Sequence, residues 1–177
     1  MTALTYQDID GPIEVTFDDL KKFHGTRSIC GLTVGYTMLC AAWESLSDGK
    51  PLDRGAIVIE AAFGGPGVCD AVEMVTRAVS REAFQLVSDK QPDEQIAEAA
   101  KGVYWYKVSA DGRVVELGLK PEVVPKEFVG LRRKLLAGDG TSEKRAAFRE
   151  LQFEFSNRLL SMNPLDAFNV LSMNKAA

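Results

Sequence analysis

The chain has 177 residues, a net charge of −4, a pI near 5.1 and an ordinary globular mix of 46% hydrophobic and 26% charged residues. That length supports one domain with a proper core, or a core carrying an appendage. The acidic balance removes the electrostatic case for nucleic acid, which binds basic faces. The basic cluster Arg132-Arg133-Lys134 sits among helix formers and reads as a solvated face. The first fifteen residues carry acids and no charged-then-apolar pattern, so no secretory signal is expected. The apolar run Ile29 to Trp43 is too short and too rich in glycine and threonine to span a bilayer. Three cysteines at irregular spacing indicate reduced thiols in a cytoplasm, and the absence of a CxxC pair argues against a closed structural zinc module.

Residues 1 to 15 read as an irregular lead-in broken at Gly11-Pro12. Thr16 is placed to cap a short helix, Phe17 to Phe23, with Asp18 and Asp19 in its first turn and a stop at His24-Gly25. A long helix follows from about Cys30 to Leu46, with Ser28 as its candidate cap; it is apolar almost all round and therefore reads as a buried central helix. Gly31 and Gly35 share one face of it and invite close approach by a sheet or a second protomer. After the turn at Asp48-Gly49-Lys50-Pro51, Gly55 to Phe63 is a short buried strand. The turn Gly64-Gly65-Pro66-Gly67 then opens a helix with Cys69 and Asp70 in its first turn and Val68, Val72, Val75 and Val79 as its apolar stripe.

Ala83 to Val87 is a second strand, and Gln91 to Ala100 is a short exposed helix or a loop. Val103 to Val108 and Arg113 to Leu119 alternate around Asp111-Gly112 and form a β-hairpin. The rest is helical, about Lys126 to Leu136 and Ser142 to Ser161, with Thr141 or Ser142 as the second cap and Asn163-Pro164 as the stop. A short tail packs back on the core. The expected fold is α+β: a core over 1–120 with a mixed sheet of about four strands, and a helical extension over 121–177.

Chemistry concentrates around the only histidine. His24 suits a metal or an acid–base role; its plain alternative is a helix-terminal histidine bonded to a carbonyl. Cys30 and Cys40 lie about 15 Å apart on a continuous helix and point about 80° apart, so they cannot share a site. Cys30 is the candidate and Cys40 a small buried hydrophobe. Cys69, at a helix N-terminus, is expected to have a lowered thiol pKa. Asp70 is a ligand, a base or a dipole-compensating acid, and the glycine turn is a candidate anion cradle.

Taken in order, Phe23-His24-Gly25, Cys30-Gly31-Leu32, Gly35-Tyr36 and Asp70-Ala71 through Thr76 resemble the FmdE family, which comprises a component of formylmethanofuran dehydrogenase and its stand-alone relatives. The resemblance runs through the hairpin into the helical C-terminus. It implies an α+β core, often dimeric, with a histidine–cysteine metal site, and makes His24, Cys30, Cys69 and Asp70 the candidate ligands of a zinc ion. Gly64, Gly65, Gly67 and Tyr36 are the candidate ligand-binding residues. The chain departs from the family pattern in three places. Thr26 stands where a second histidine is usual, with the cysteine displaced to Cys30. Thr37 replaces the arginine after Gly-Tyr, and Cys69 adjoins Asp70 instead of preceding it by three, at Gly67.

Three functions compete on these grounds. The first is a metal-binding protein accessory to redox or one-carbon metabolism. The second is a metal-free binder of a small anionic molecule, or an enzyme using Cys69 and His24 as a thiolate–imidazole pair. The third is a structural or regulatory component of a complex, its apolar helix supporting a homodimer. None implies a nucleic acid or a membrane as partner.

Overall fold

The computed structural model describes residues 3–175, so the first two residues of the expected lead-in and the last two of the expected extension lie outside it. The chain folds as α+β, with the element order β1 (Leu4–Asp8), β2 (Gly11–Val15), α1 (Phe17–His24), α2 (Ile29–Leu46), β3 (Leu52–Asp53), β4 (Val58–Ala61) and α3 (Pro66–Thr76) in its first half. The second half adds β5 (Phe84–Leu86), β6 (Trp105–Ala110), β7 (Arg113–Leu119), α4 (Phe128–Leu136), α5 (Ser142–Ser161), α6 (Pro164–Ala167) and β8 (Phe168–Lys175).

Everything is laid around α2. Sixteen of its 18 residues are buried, Glu44 and Ser45 being the exceptions. By length and composition it is the one helix among the described residues apolar enough to cross a bilayer, and here the protein itself surrounds it. Its neighbours are α3, α5 and the sheet strand β7. On the α3 side Gly31 and Gly35 admit the backbone of Gly67 and Val68, so the small-residue face is filled by a helix of the same chain rather than by a sheet or a second protomer. On the α5 side Thr33 donates to the Ile29 carbonyl at 2.9 Å, and its hydroxyl oxygen meets the Ser156 hydroxyl at 2.6 Å.

The main sheet has five strands in the order β5-β4-β6-β7-β8, with β4 and β5 parallel and the other pairs antiparallel. Asp111 and Gly112, both at positive φ (50° and 73°), make the tight β6–β7 turn that the Asp-Gly pair foretold. The expected strand at 55–63 is confined to Val58–Ala61, because Arg54–Ala56 forms a 3-10 turn held by the Asp53 side chain on the Gly55 N–H. A second, three-stranded sheet has the order β2-β1-β3.

Two further expectations, on the lead-in and on the C-terminal tail, are corrected. The lead-in is a β-hairpin: Pro12, read as a break, sits in edge strand β2 opposite Gln7, where its missing N–H is tolerated. Residues 91–100 take the loop form, one of the two alternatives read from the sequence. The C-terminal tail is β8, paired along β7, so the region 121–177 is not purely helical and contributes a strand to the core sheet. The same buried cluster includes Phe128, Phe148, Phe155 and Leu159 along with α2. The α3 stripe also stops short. Val68, Val72 and Val75 are fully buried, but Arg77 turns left-handed (φ 55°) and ends the helix, which leaves Val79 exposed.

Candidate functional site

Two local devices position His24. The Thr16 hydroxyl accepts from the Asp19 N–H, and the Asp19 carboxylate accepts from the Thr16 N–H, a capping box that fixes the start of α1. The Thr16 hydroxyl, which also donates to the Asp19 carboxylate at 2.6 Å, followed by the Thr16 N–H, holds that carboxyl down at about 2. At the other end Gly25, at φ 75°, ends the helix by donating to the Lys21 carbonyl. His24 is thus the last residue of α1, facing α3.

There it meets Asp70. The Nδ1 atom of His24 and Oδ2 of Asp70 are 2.6 Å apart, bridging residues 46 positions apart in the chain. The imidazole is 7% exposed and the carboxylate 41%. With Nδ1 donating to a carboxylate, the neutral ring carries its lone pair on Nε2. That atom is buried and has no hydrogen-bond partner among the described residues. An orphaned acceptor of this kind normally costs stability, which makes it a mark of function when one persists.

The cysteines do not join this pair. Cys30 is buried, and burial pushes its thiol up to about 11. Cys40 is pushed to about 12, again by burial and then by Glu44, as suits a core thiol. Cys69 reverses the expectation of an activated thiolate. It is the fourth residue of α3, its N–H already donates to Gly65, and its thiol donates to the Gly64 carbonyl at 3.4 Å. Burial, followed by the adjacent Asp70, raises its pKa. Asp70 itself lies beyond the first turn, which holds no acid. Because the Cys30 pKa moves from 9.0 to about 11, that thiol carries about a hundredfold less thiolate at neutral pH than an unperturbed cysteine. The expected result is that iodoacetamide at pH 7.5 labels all three cysteines of the native protein more slowly than free cysteine. A native thiol that outpaces free cysteine, read by intact mass against time, would contradict this.

The glycine turn is not an open cradle. A Cβ at Gly64 would strike Leu86, one at Gly65 would strike the Phe63 ring, and one at Gly67 would strike the backbone of α2. Those glycines serve packing. Tyr36 is likewise in the core, its ring tilted against Phe17 and its hydroxyl donating to the Val15 carbonyl at 3.4 Å, while burial raises its pKa.

Zinc, which the family resemblance implies, can be tested against these donors. His24 Nε2 suits a metal, and the carboxylate on Nδ1 is the usual outer partner of a metal-bound histidine. Beyond that atom the set fails. Both candidate thiols are protonated, that of Cys69 also donating to the Gly64 carbonyl, Asp70 is engaged by the ring, and no three His, Cys, Asp or Glu side chains among the described residues gather around one point. A protein-held tetrahedral site needs four ligands, three from the chain when one position is open. The residues present do not supply them.

Sequence reasoning missed what surrounds the start of α2. From α5, Arg149 donates to the Thr26 carbonyl at 2.8 Å and to its hydroxyl at 3.2 Å. From α4, the Arg132 guanidinium is close enough to favour the ionised forms of Cys30 and Tyr104. Tyr106, fully buried on β6, leaves its hydroxyl without a partner among the described residues. Two cavities, of about 450 and 490 Å³, lie elsewhere: one is lined by Cys40, Trp43 and Glu44, the other by Pro121, Glu127 and Arg158. No family model matches the chain, and no curated protein matches it.

Proposed function

We propose that the protein is a small-molecule-binding protein whose working group is the His24 imidazole, held by Asp70 so that Nε2 accepts a hydrogen bond or a proton from the bound molecule. The observation that carries this reading is the 2.6 Å His24–Asp70 contact together with the buried, unpartnered Nε2. A carboxylate on Nδ1 fixes the tautomer and stabilises the imidazolium formed when Nε2 takes a proton, which is how histidine serves as a general base. The chemistry is therefore proton transfer or hydrogen-bond recognition at His24. Raised thiol pKa values remove Cys69 as its nucleophilic partner.

A single histidine makes the test direct, because every imidazole signal comes from His24. Long-range ¹H–¹⁵N spectra at pH 7.5 are expected to show the Nδ1–H tautomer in the wild type and its loss in Asp70→Ala. A ring protonated on Nε2 alone in the wild type would overturn the reading, since that atom then accepts nothing.

One observation favours a second reading. A carboxylate-bound histidine with a bare Nε2 is also the arrangement that presents a nitrogen to a divalent ion, in line with the resemblance to the FmdE family. Stoichiometric zinc bound by the wild type and lost in His24→Ala would favour this metal-binding reading.

A further inference from the structure

The cavity of about 450 Å³ lies at the C-terminal half of α2. Its walls include Leu4 from β1, Cys40, Trp43 and Glu44 from α2, and Met162 and Pro164 where α5 passes into α6. Cys40 is about 15 Å along the helix axis from Cys30, so this cavity is separate from the His24–Asp70 pair. Its volume falls within the range of about 300–1,000 Å³ that holds small molecules, and its lining has the usual mix of apolar surface and a few polar groups.

Most of that lining is neutral. Burial keeps the Cys40 thiol protonated, with its pKa pushed to about 12. The Trp43 indole N–H donates to the Thr5 carbonyl at 2.8 Å, so the ring has only apolar surface left to give. Indole is also the side-chain ring that attracts cations best. The Asn163 carboxamide oxygen accepts from the Leu165 N–H at 2.9 Å. Glu44 is the one charged group in the lining.

That carboxylate stands in the last turn of an 18-residue helix that carries no basic residue there. The carbonyl end of a helix disfavours anions and favours cations. Glu44 has no cationic partner among the described residues. Burial, followed by Asp166 on α6, raises its pKa. One positive charge in the cavity relieves each of these conditions. Thr33, Thr37, Cys40 and Glu44 form one stripe of α2, at spacings of four, three and four. Thr33 closes one end of the stripe against Ser156, and the cavity takes the other. Between them Thr37 is fully buried, its hydroxyl without a partner among the described residues.

We infer that this cavity binds a small organic cation, an ammonium group on an apolar body, with Glu44 taking the ammonium and Leu4, Trp43 and Met162 the body. The site is independent of His24 and of the function proposed for it.

The experiment titrates phenethylamine hydrochloride and, separately, phenethyl alcohol into ¹⁵N-labelled protein at pH 7.5 and constant ionic strength. The amine is protonated at that pH, and the alcohol has nearly its shape without the charge. Saturable shifts are expected with the amine at the amides of residues 40–47 and at the Trp43 indole N–H. Affinity should fall about tenfold in Glu44→Gln, the scale of one charge-assisted hydrogen bond. It should stay unchanged in Glu154→Gln, whose carboxylate is paired with Arg158 beside the other cavity. An alcohol that binds as tightly as the amine, or an affinity that Glu44→Gln leaves unchanged, would overturn the assignment of a cation. Linear shifts that are equal in the wild type and Glu44→Gln would overturn the site itself. Because Glu44→Gln removes a charge that opposes the helix dipole, its melting temperature should not fall below that of the wild type, which separates lost binding from a lost fold.

Discussion

Replacing Gly67 with alanine is expected to destabilise the protein by about 3 kcal/mol, the upper end of what overpacking a close-packed contact costs. The added Cβ would lie 2.3 Å from the Leu32 nitrogen and 2.7 Å from both the Gly31 carbonyl carbon and the Ser28 oxygen. All three are backbone atoms at the start of α2, and none can rotate away. For a domain of this size the loss corresponds to a melting temperature lower by about 6–12 °C. Helix propensity works in the opposite direction, since alanine is favoured over glycine by about 1 kcal/mol, so the sign of the result separates packing from propensity. Gly31→Ala is the internal control, because its Cβ meets only the Ser28 hydroxyl at 3.2 Å and the Gly67 backbone at 3.6 Å and beyond. That variant should melt within a few degrees of the wild type. Equal melting of the two variants in a calorimeter would refute the close α2–α3 contact. Displacing α3 also moves Asp70, so Gly67→Ala should disturb the His24 tautomer without touching either residue.

Phe155→Ala should be at least as damaging, at about 3–5 kcal/mol for an aromatic deleted from a sealed core. The side chain is fully buried, and its ring packs edge-on against Phe128 with centroids 5.2 Å apart. The form of the transition matters as much as its midpoint. Were residues 121–177 an appendage, the damage would appear as a separate early step with the main transition unmoved. Phe155 instead belongs to the same buried cluster as Leu32, Leu39 and Tyr106, so urea unfolding should remain one transition with a lower midpoint. A biphasic curve would restore the two-part organisation.

The residues that announced themselves in the sequence were those whose structure is set by near neighbours. Thr16 and Asp19 are three apart, Asp111 and Gly112 adjacent, and Thr141 caps α5 through the Lys144 N–H. The α+β class and the burial of α2 follow from the same short-range patterns. What escaped was set at long range. Strand β8 shows little alternation because its register against β7 slips at Glu116/Leu117: Glu116 faces Ser172 and Leu117 faces Val170, so Leu171 is an extra residue. The β1–β2 hairpin hid behind Pro12, acceptable only because β2 is an edge.

The site divides in the same way. His24 and Asp70 were both visible as chemically apt residues beside helix ends, and the fold brings them into contact. The Cys69 thiol defies its expectation because a helix start lowers a cysteine pKa only when the sulfur faces free N–H groups, and burial decides otherwise there. Arg149 drew no notice in the sequence because the loop it holds lies far back in the chain, as the 123-residue interval between Thr26 and Arg149 shows.

The covering of α2 also fixes an order of events during synthesis. The helix is complete at Leu46, yet α5, which shields one side of it, ends at Ser161, about 115 residues later. At about 5–20 residues per second, translation leaves that side uncovered for roughly 6–23 seconds. Throughout that interval the nascent chain displays the face of Thr33 that later meets Ser156. Binding of an early-acting chaperone to ribosome-held chains should therefore begin once α2 has emerged and end only after α5 has followed it out of the exit tunnel.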